Sequence, residues 1–366
     1  MSKISLKHSG GKVVSLNSPT TEPNANDVAF KLPNADGSNG QALVTDGAGN
    51  LSFANAGSGT ARNLIINGAM IISQRGVNFG TLASTAYTLD RWNVDAGATV
   101  QQASLAVDEI SDDKKLTKAI QMQGASSDYF RTKLEDVSNF SSQTLTLSFY
   151  VKGASNTTLD NIYARQNFGS GGSSVVDTAF SNLSYSVTTS YTRYTSTVTL
   201  PSISGKTVGT SSYLEIFMEL PDGVTVYITG VQLEVGSVAT DFEHRSFGQE
   251  LALCQRYFHT LEGDDNDFLE IGFSVNCNNH YMQHNFPQPM RIMPSYSSTS
   301  TNIDLLTANS STNINANTLA IVGPNNTPNP YSCWLYGNTS CSTTAGQAAV
   351  FRPNANGLVM SFSAEL

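Results

Sequence analysis

A two-residue periodicity, recurring in run after run, constrains this chain more than any other feature. From Thr144 to Lys152 the apolar positions Leu145, Leu147, Phe149 and Val151 alternate with Thr146, Ser148, Tyr150 and Lys152. Successive side chains of an extended chain point to opposite faces, so the pattern predicts a half-buried antiparallel strand. Tyr194–Leu200, Tyr213–Leu220 and Val224–Ile228 are of the same kind, and Asn63–Asn67 reads as a shorter run. Many such strands separated by turns indicate a β-sandwich. One stretch breaks the rhythm. Ser246-Phe-Gly-Gln249 has the form of a capping box, and Phe247, Leu251, Cys254 and Phe258 follow at helical spacing. A single linking helix is predicted within 246–258. From His259 the chain returns to short β runs at 268–273, 319–322 and 357–362.

Residues 1–60 are organised differently. Lys3–Lys7 and Lys12–Leu16 flank His-Ser-Gly-Gly, a hairpin signal, and the runs 27–32, 41–45 and 50–53 are divided by Asp36-Gly37 and Asp46-Gly47. So few apolar residues cannot bury a core alone, which predicts a β-hairpin anchor that pairs with another chain or with copies of itself. Ala56–Ala61 is a flexible linker by composition.

Only 13 % of the residues are charged, about half the usual share, and Ser, Thr, Asn and Gly take their place. A net charge of −9 without a Lys/Arg cluster argues against nucleic acid. No window approaches the ~20 apolar residues of a membrane-spanning helix. The opening Met1–Gly10 lacks the apolar core of a signal peptide, so a Sec-exported adhesin is not expected. Cys254, Cys277, Cys333 and Cys341 include no CxxC pair and read as free thiols, with a Cys333–Cys341 bridge as the alternative.

Trp92, beside Asp90 and Arg91, is expected in the core. Trp334 lies in the tyrosine-rich stretch 330–336, and with Tyr331 and Tyr336 it forms the candidate glycan or receptor contact, because an exposed aromatic ring can stack on a sugar. His280 and His284 are four apart and share a face if extended. They read as surface residues, with a metal site across a symmetric oligomer as the lesser reading. Glu262–Asp267 is rich in oxygen ligands, but it lacks the EF-hand spacing and reads as a solvated loop. Neither G-x-S-x-G, nor a phosphate-cradling loop, nor a β-helix repeat occurs, so no enzymatic activity and no cofactor are expected. A glycan-cleaving spike would need two carboxylates roughly 5–10 Å apart in a groove, and no paired motif announces them.

Asn63-Leu-Ile-Ile-Asn-Gly68, Phe149-Tyr-Val-Lys-Gly153 and Thr229–Gly236 belong to a series of motifs whose order resembles phage tail-fibre and minor virion structural proteins of the marine-phage and cyanophage type. They begin with Asn63-Leu-Ile-Ile-Asn-Gly68, Gln74-Arg-Gly76 and Tyr87-Thr-Leu-Asp-Arg-Trp92. Phe149-Tyr-Val-Lys-Gly153 fits the centre. Thr229–Gly236, Ala239–Arg245 and Glu250–Phe258 match the close, and Phe286–Arg291 and Ser363-Ala-Glu-Leu366 the C-terminal part. Asp27–Pro33 and Asp46–Phe53 resemble anchor segments. The resemblance covers most of the chain. It implies a mainly β molecule: a virion-anchoring segment (1–60), a galactose-binding-like jelly roll (61–245), the helix, and a distal C-terminal β-sandwich (259–366). It further implies a homotrimeric tail fibre, docked to tail or adaptor proteins and contacting host polysaccharide or protein. A head or collar fibre without a receptor is the alternative, and a glycan-degrading tailspike a weaker one. Relatives often carry an acid after Asn-Gly that helps hold calcium. Here Asn67-Gly68 is followed by Ala69, leaving Glu234 as one carboxylate where calcium needs six to eight oxygens.

Overall fold

The computed structural model describes residues 62–265, 267–276, 278–298, 302–307, 310–315, 320–322, 330–338, 345–353 and 356–366, with 3–7, 13–17, 31–33, 41–45 and 51–55. The chain is mainly β and divides into two compact units, Met1–Ala61 and Arg62–Leu366. In the first, Lys3–Lys7 pairs antiparallel with Val13–Asn17, and Gln41–Thr45 with Leu51–Asn55. The Leu51 N–H donates to the Lys31 carbonyl at 2.9 Å. The turns expected between these strands lie outside the described residues, as does most of the 27–32 run.

In the second unit, residues 62–245 form a two-sheet jelly-roll sandwich. One sheet runs, in spatial order, Val176–Ala179, Thr157–Asn167, Tyr213–Glu219, Tyr129–Glu135, Asn93–Val94 and Ala86–Tyr87, with Ser184–Val187 also pairing Thr157–Asn167. The other runs Thr192–Thr199, Thr144–Gly153, Thr225–Val235, Lys118–Gln123, Thr99–Ser104 and Asn78–Thr81. Leu145, Leu147, Phe149 and Val151 meet Ile162, Ala164, Leu214 and Ile216 across the core, as the alternation requires. The other face of Thr144–Gly153 is not exposed as expected: Thr146, Ser148 and Tyr150 are buried too. Tyr150 packs with Ile110, Leu116 and Phe242, residues of connecting segments that cover this sheet. A glycine at 230, with φ +59°, lies at an irregularity in the pairing with Thr144–Gly153, and a Cβ there would come within 2.8 Å of the Tyr150 ring.

The 63–67 run is not a strand. Asn63 Oδ1 accepts from the Ile65 and Leu233 N–H groups, and its Nδ2 donates to the Val231 carbonyl. Asn67, at φ 59°, bonds Ile72 and the Asp90 carbonyl through its side chain. Two asparagines thus stitch this segment to the sandwich by side-chain bonds, beside two backbone bonds of 2.9 Å, from the Leu64 N–H to the Leu233 carbonyl and from the Val231 N–H to the Gly68 carbonyl. Trp92 is 1 % exposed, stacks on Phe130 at 4.3 Å and donates to the Asn67 carbonyl.

The helix spans Phe247–Gln255, and both bonds of its Ser246/Gln249 capping box are present. It ends before the predicted 258. Tyr257 N–H turns back to the Cys254 carbonyl, and Phe258 opens a strand paired with Ser363. The buried positions are Glu250 and Cys254, while Phe247 is exposed, so the expected apolar stripe does not form.

Residues 258–366 form a second sandwich. A sheet of Phe258–Gly263, Leu358–Ser363 and Ser295–Ser298 packs on one ordered Ser310–Asn315, Asn302–Thr307, Ala348–Pro353, Glu270–Ser274, Asn279–Asn285, Ser332–Asn338 and Ala320–Val322. Its core holds Met282, Ile303, Leu335 and Phe351 from the larger sheet and Leu358, Met360 and Phe362 from the smaller.

The two sandwiches are joined through a buried polar junction. Arg91, fully buried, pairs with Glu365, donates to the Lys133 carbonyl at 2.6 Å and lies 3.5 Å over the Tyr257 ring. Arg75 reaches the same carboxylate at 3.0 Å and covers the Phe258 ring at 3.5 Å. Arg256 grips Glu135 with two bonds of 2.9 Å, and Arg291 holds the carbonyls of Ala364 and Glu365 at 2.8 Å. Removing one partner of a buried pair strands the other charge, at a cost of about 3–5 kcal/mol. Glu365→Ala should therefore lose about that much stability in denaturant titration; an unchanged midpoint would show that the pair does not hold the junction.

Candidate functional site

The Ser332–Asn338 strand separates its side chains cleanly. Cys333 and Leu335 enter the core, and Trp334 and Tyr336 face outward, half-buried. Register then sets their neighbours. Tyr281 lies opposite Tyr336, Gln283 opposite Trp334, and Phe273 opposite Tyr281 on the next strand. Four aromatic rings therefore share one outer sheet face. Tyr281 sits 5.5 Å from Trp334, 5.1 Å from Tyr336 and 5.9 Å from Phe273, and Phe273 meets Trp334 edge-on at 5.9 Å. Phe273 is 39 % exposed, and Ile271 beside it on the same face is 73 % exposed. The Tyr336 hydroxyl donates to Asn279 Oδ1 at 2.9 Å, and Gln283 Nε2 donates to Asn285 Oδ1. Aromatic faces ringed by amide groups offer apolar stacking surface together with donors and acceptors for hydroxyl groups.

Of the three aromatic residues singled out from sequence, Trp334 and Tyr336 thus lie on this platform. Tyr331 stands just ahead of the strand, with the alternation parity of Cys333, and is 64 % exposed. Phe273 and Tyr281 went unnoticed. Their signal was alternation within 270–274 and 279–285, which marks a face but not which strand lies beside it.

The jelly roll has an aromatic row of its own, Tyr129–Phe217–Tyr163, with centroids 5.5 Å apart. Phe217 is buried there, and the Arg165 guanidinium lies 4.9 Å above its ring, fixed by two bonds to Asp177 at 2.7 and 2.8 Å. That row is capped, whereas on the C-terminal platform Phe273 is exposed and the other three rings are half-buried.

His280 and His284 do share a face of Asn279–Asn285, but it is the core face, not the surface. His280 is fully buried against Ser274 Oγ at 3.0 Å. His284 binds Glu270 through Nδ1 at 2.8 Å, stacks on His259 at 5.2 Å and on Phe362 at 5.0 Å. No group of three or more His, Cys, Asp or Glu suited to a metal occurs among the described residues. Glu234 accepts from the Thr240 N–H and hydroxyl, so its oxygens cap a turn. Cys254 and Cys333 are free and buried, with the Cys333 thiol pushed up to about 12 by burial and by Glu270. Cys277 and Cys341 lie outside the described residues. The Glu262–Asp267 segment begins on a strand, and Asp264 then accepts from the Gly357 N–H at 2.9 Å.

No protein-family profile and no curated protein matches the chain. Among solved structures it is similar to the CBM22-1 xylan-binding domain of Paenibacillus barcinonensis Xyn10C, at 14 % identity over 49 % of this chain and 100 % of that one, TM-score 0.30. The CBM22-1-CBM22-2 tandem domain of the same protein matches at 10 % identity over 84 % of this chain and 100 % of that one, TM-score 0.32. Tailspike protein 4 of bacteriophage CBA120 matches at 14 % identity over 48 % of this chain and 22 % of that one, TM-score 0.31.

The stacked histidines have a consequence in acid. Burial and the neighbouring His284 hold His259 down at about 4, and burial also lowers His280. Between about pH 6.5 and 4 the unfolded chain binds protons that the folded core refuses, so stability falls as pH drops through that window. Glu270, Tyr296 and the raised Cys333 thiol also face this core. Replacing His259 by Phe should flatten this part of the pH–stability curve. Because the ring is only partly buried, the change at pH 4 should be about 2 kcal/mol.

Proposed function

We propose that this chain is a non-enzymatic, glycan-binding virion fibre. The observation that carries the reading is the open aromatic platform of Phe273, Tyr281, Trp334 and Tyr336 on the outer face of the C-terminal sandwich. Rings in this setting stack on the apolar faces of sugars, and the flanking Asn279 and Gln283 amides can exchange hydrogen bonds with hydroxyls. The ordered motifs from Asn63 to Phe258 support membership of the tail-fibre class. In this reading residues 1–60 dock to tail or adaptor proteins of the particle, three copies associate, and residues 259–366 contact host surface polysaccharide. Trimerisation would multiply weak single sites through high effective concentration.

Trp334 points away from the core, so Trp334→Ala should change stability by no more than about 1 kcal/mol. Losing its stacking area, worth about 1.5–3 kcal/mol, should weaken binding to host polysaccharide roughly tenfold to a hundredfold. Affinity electrophoresis of wild type and variant measures the binding and denaturant titration the stability, and undiminished binding would remove the platform from the proposal. Light scattering should give about three times the 39.1 kDa chain mass; a monomer would contradict the fibre.

A further inference from the structure

We infer that the platform takes an uncharged glycan, not an acidic polysaccharide. The inference rests on the glycan-binding reading above and is carried by a separate observation. Residues 305–351 contain no Asp, Glu, Lys, Arg or His. That stretch supplies three complete strands of the platform sheet, Ser310–Asn315, Ala320–Val322 and Ser332–Asn338, together with the segments that connect them.

The charges that bound the stretch are committed to each other. Asp304 and Arg352 stand on neighbouring strands and pair at 3.3 Å. Glu270 is turned to His284, and Arg291 spends two N–H groups on the carbonyls of Ala364 and Glu365. On the platform strand Asn279–Asn285, the outward positions are Asn279, Tyr281, Gln283 and Asn285. Amides donate and accept with hydroxyls but supply no counter-charge. Binding a carboxylate or sulfate in water relies on Arg or Lys, whose charge-assisted bonds offset the desolvation of the anion. Here an anion would be desolvated against aromatic carbon with no cation beside it among the described residues, on a chain that carries −9 overall. A neutral sugar ring avoids that cost: its C–H face covers Trp334 and Tyr281 while its hydroxyls meet the amides.

The test titrates the full chain with neutral polysaccharides (a glucan, a mannan, a xylan) and with acidic ones (alginate, a sulfated galactan). Each is run at about 0.05 and 0.5 M NaCl, a range over which exposed charge interactions are largely screened out. The expected result is binding to a neutral polymer that changes less than about twofold with salt and is lost in Trp334→Ala. Binding confined to the acidic polymers, weakened by salt and lost in the same variant, would overturn the neutral assignment and leave the glycan reading standing. Absence of binding to every polymer, or binding that Trp334→Ala leaves intact, would overturn the glycan reading itself. If Trp334→Ala instead lowers the mass of the assembly, the platform is a contact between copies and both fail.

Discussion

The ion pair between Arg91 and Glu365 is the constraint on which the two-sandwich unit depends. A fully buried guanidinium is tolerable only with a counter-charge and satisfied donors, and here they come from both sandwiches. Glu365 comes from the end of the C-terminal sandwich, the Lys133 carbonyl from the jelly roll, and the Tyr257 ring from the turn after the helix. Arg75, Arg256 and Arg291 repeat the arrangement around it, each crossing to an acid, ring or carbonyl of another segment. A junction so dependent on direction fixes where one sandwich sits on the other, which a purely apolar contact specifies less well.

This arrangement gives physical content to motifs that sequence offers only as a pattern. Gln74-Arg-Gly76, Asp90-Arg-Trp92, Gln255-Arg-Tyr-Phe258 and Ser363-Ala-Glu-Leu366 lie far apart in the chain, yet all build the same junction. Period-two alternation was enough to identify the long strands, because each of them has one face on a core. It could not say what covers the other face. Tyr150 is buried under Phe242 and Leu116, residues of connecting segments that have no period to read. Asn63–Asn67 misled for a different reason: its short apolar run Leu64–Ile66 fits a strand, but asparagine side chains and isolated backbone bonds hold the segment. The helix was legible at its start, where the capping box is local, and not at its end, where pairing between Phe258 and Ser363 decides the matter.

The candidate site was legible in half. Trp334 and Tyr336 stand two apart in an aromatic-rich stretch, so one strand suffices to suggest them. Tyr281 belongs to the site through register with a strand more than fifty residues away, and Phe273 through register with Tyr281. The histidines show the limit of the same reasoning. Alternation placed His280 and His284 correctly on one face, but which face meets the core is set by the opposing sheet, and there His259 and Phe362 were waiting.

The span of the Arg91–Glu365 pair, 274 residues, has a further implication for how the molecule is made. During synthesis at about 5–20 residues per second, Arg91 leaves the ribosome tens of seconds before its counter-ion exists. Through that interval the jelly roll can close its apolar core, but it must keep one wall unsealed and wet around an unpaired guanidinium. The strand Leu358–Ser363, which completes the small sheet of the second sandwich, emerges only just ahead of Glu365. Closure of the whole unit thus waits on residues 358–365, and a nascent chain stalled short of them leaves the junction around Arg91 exposed.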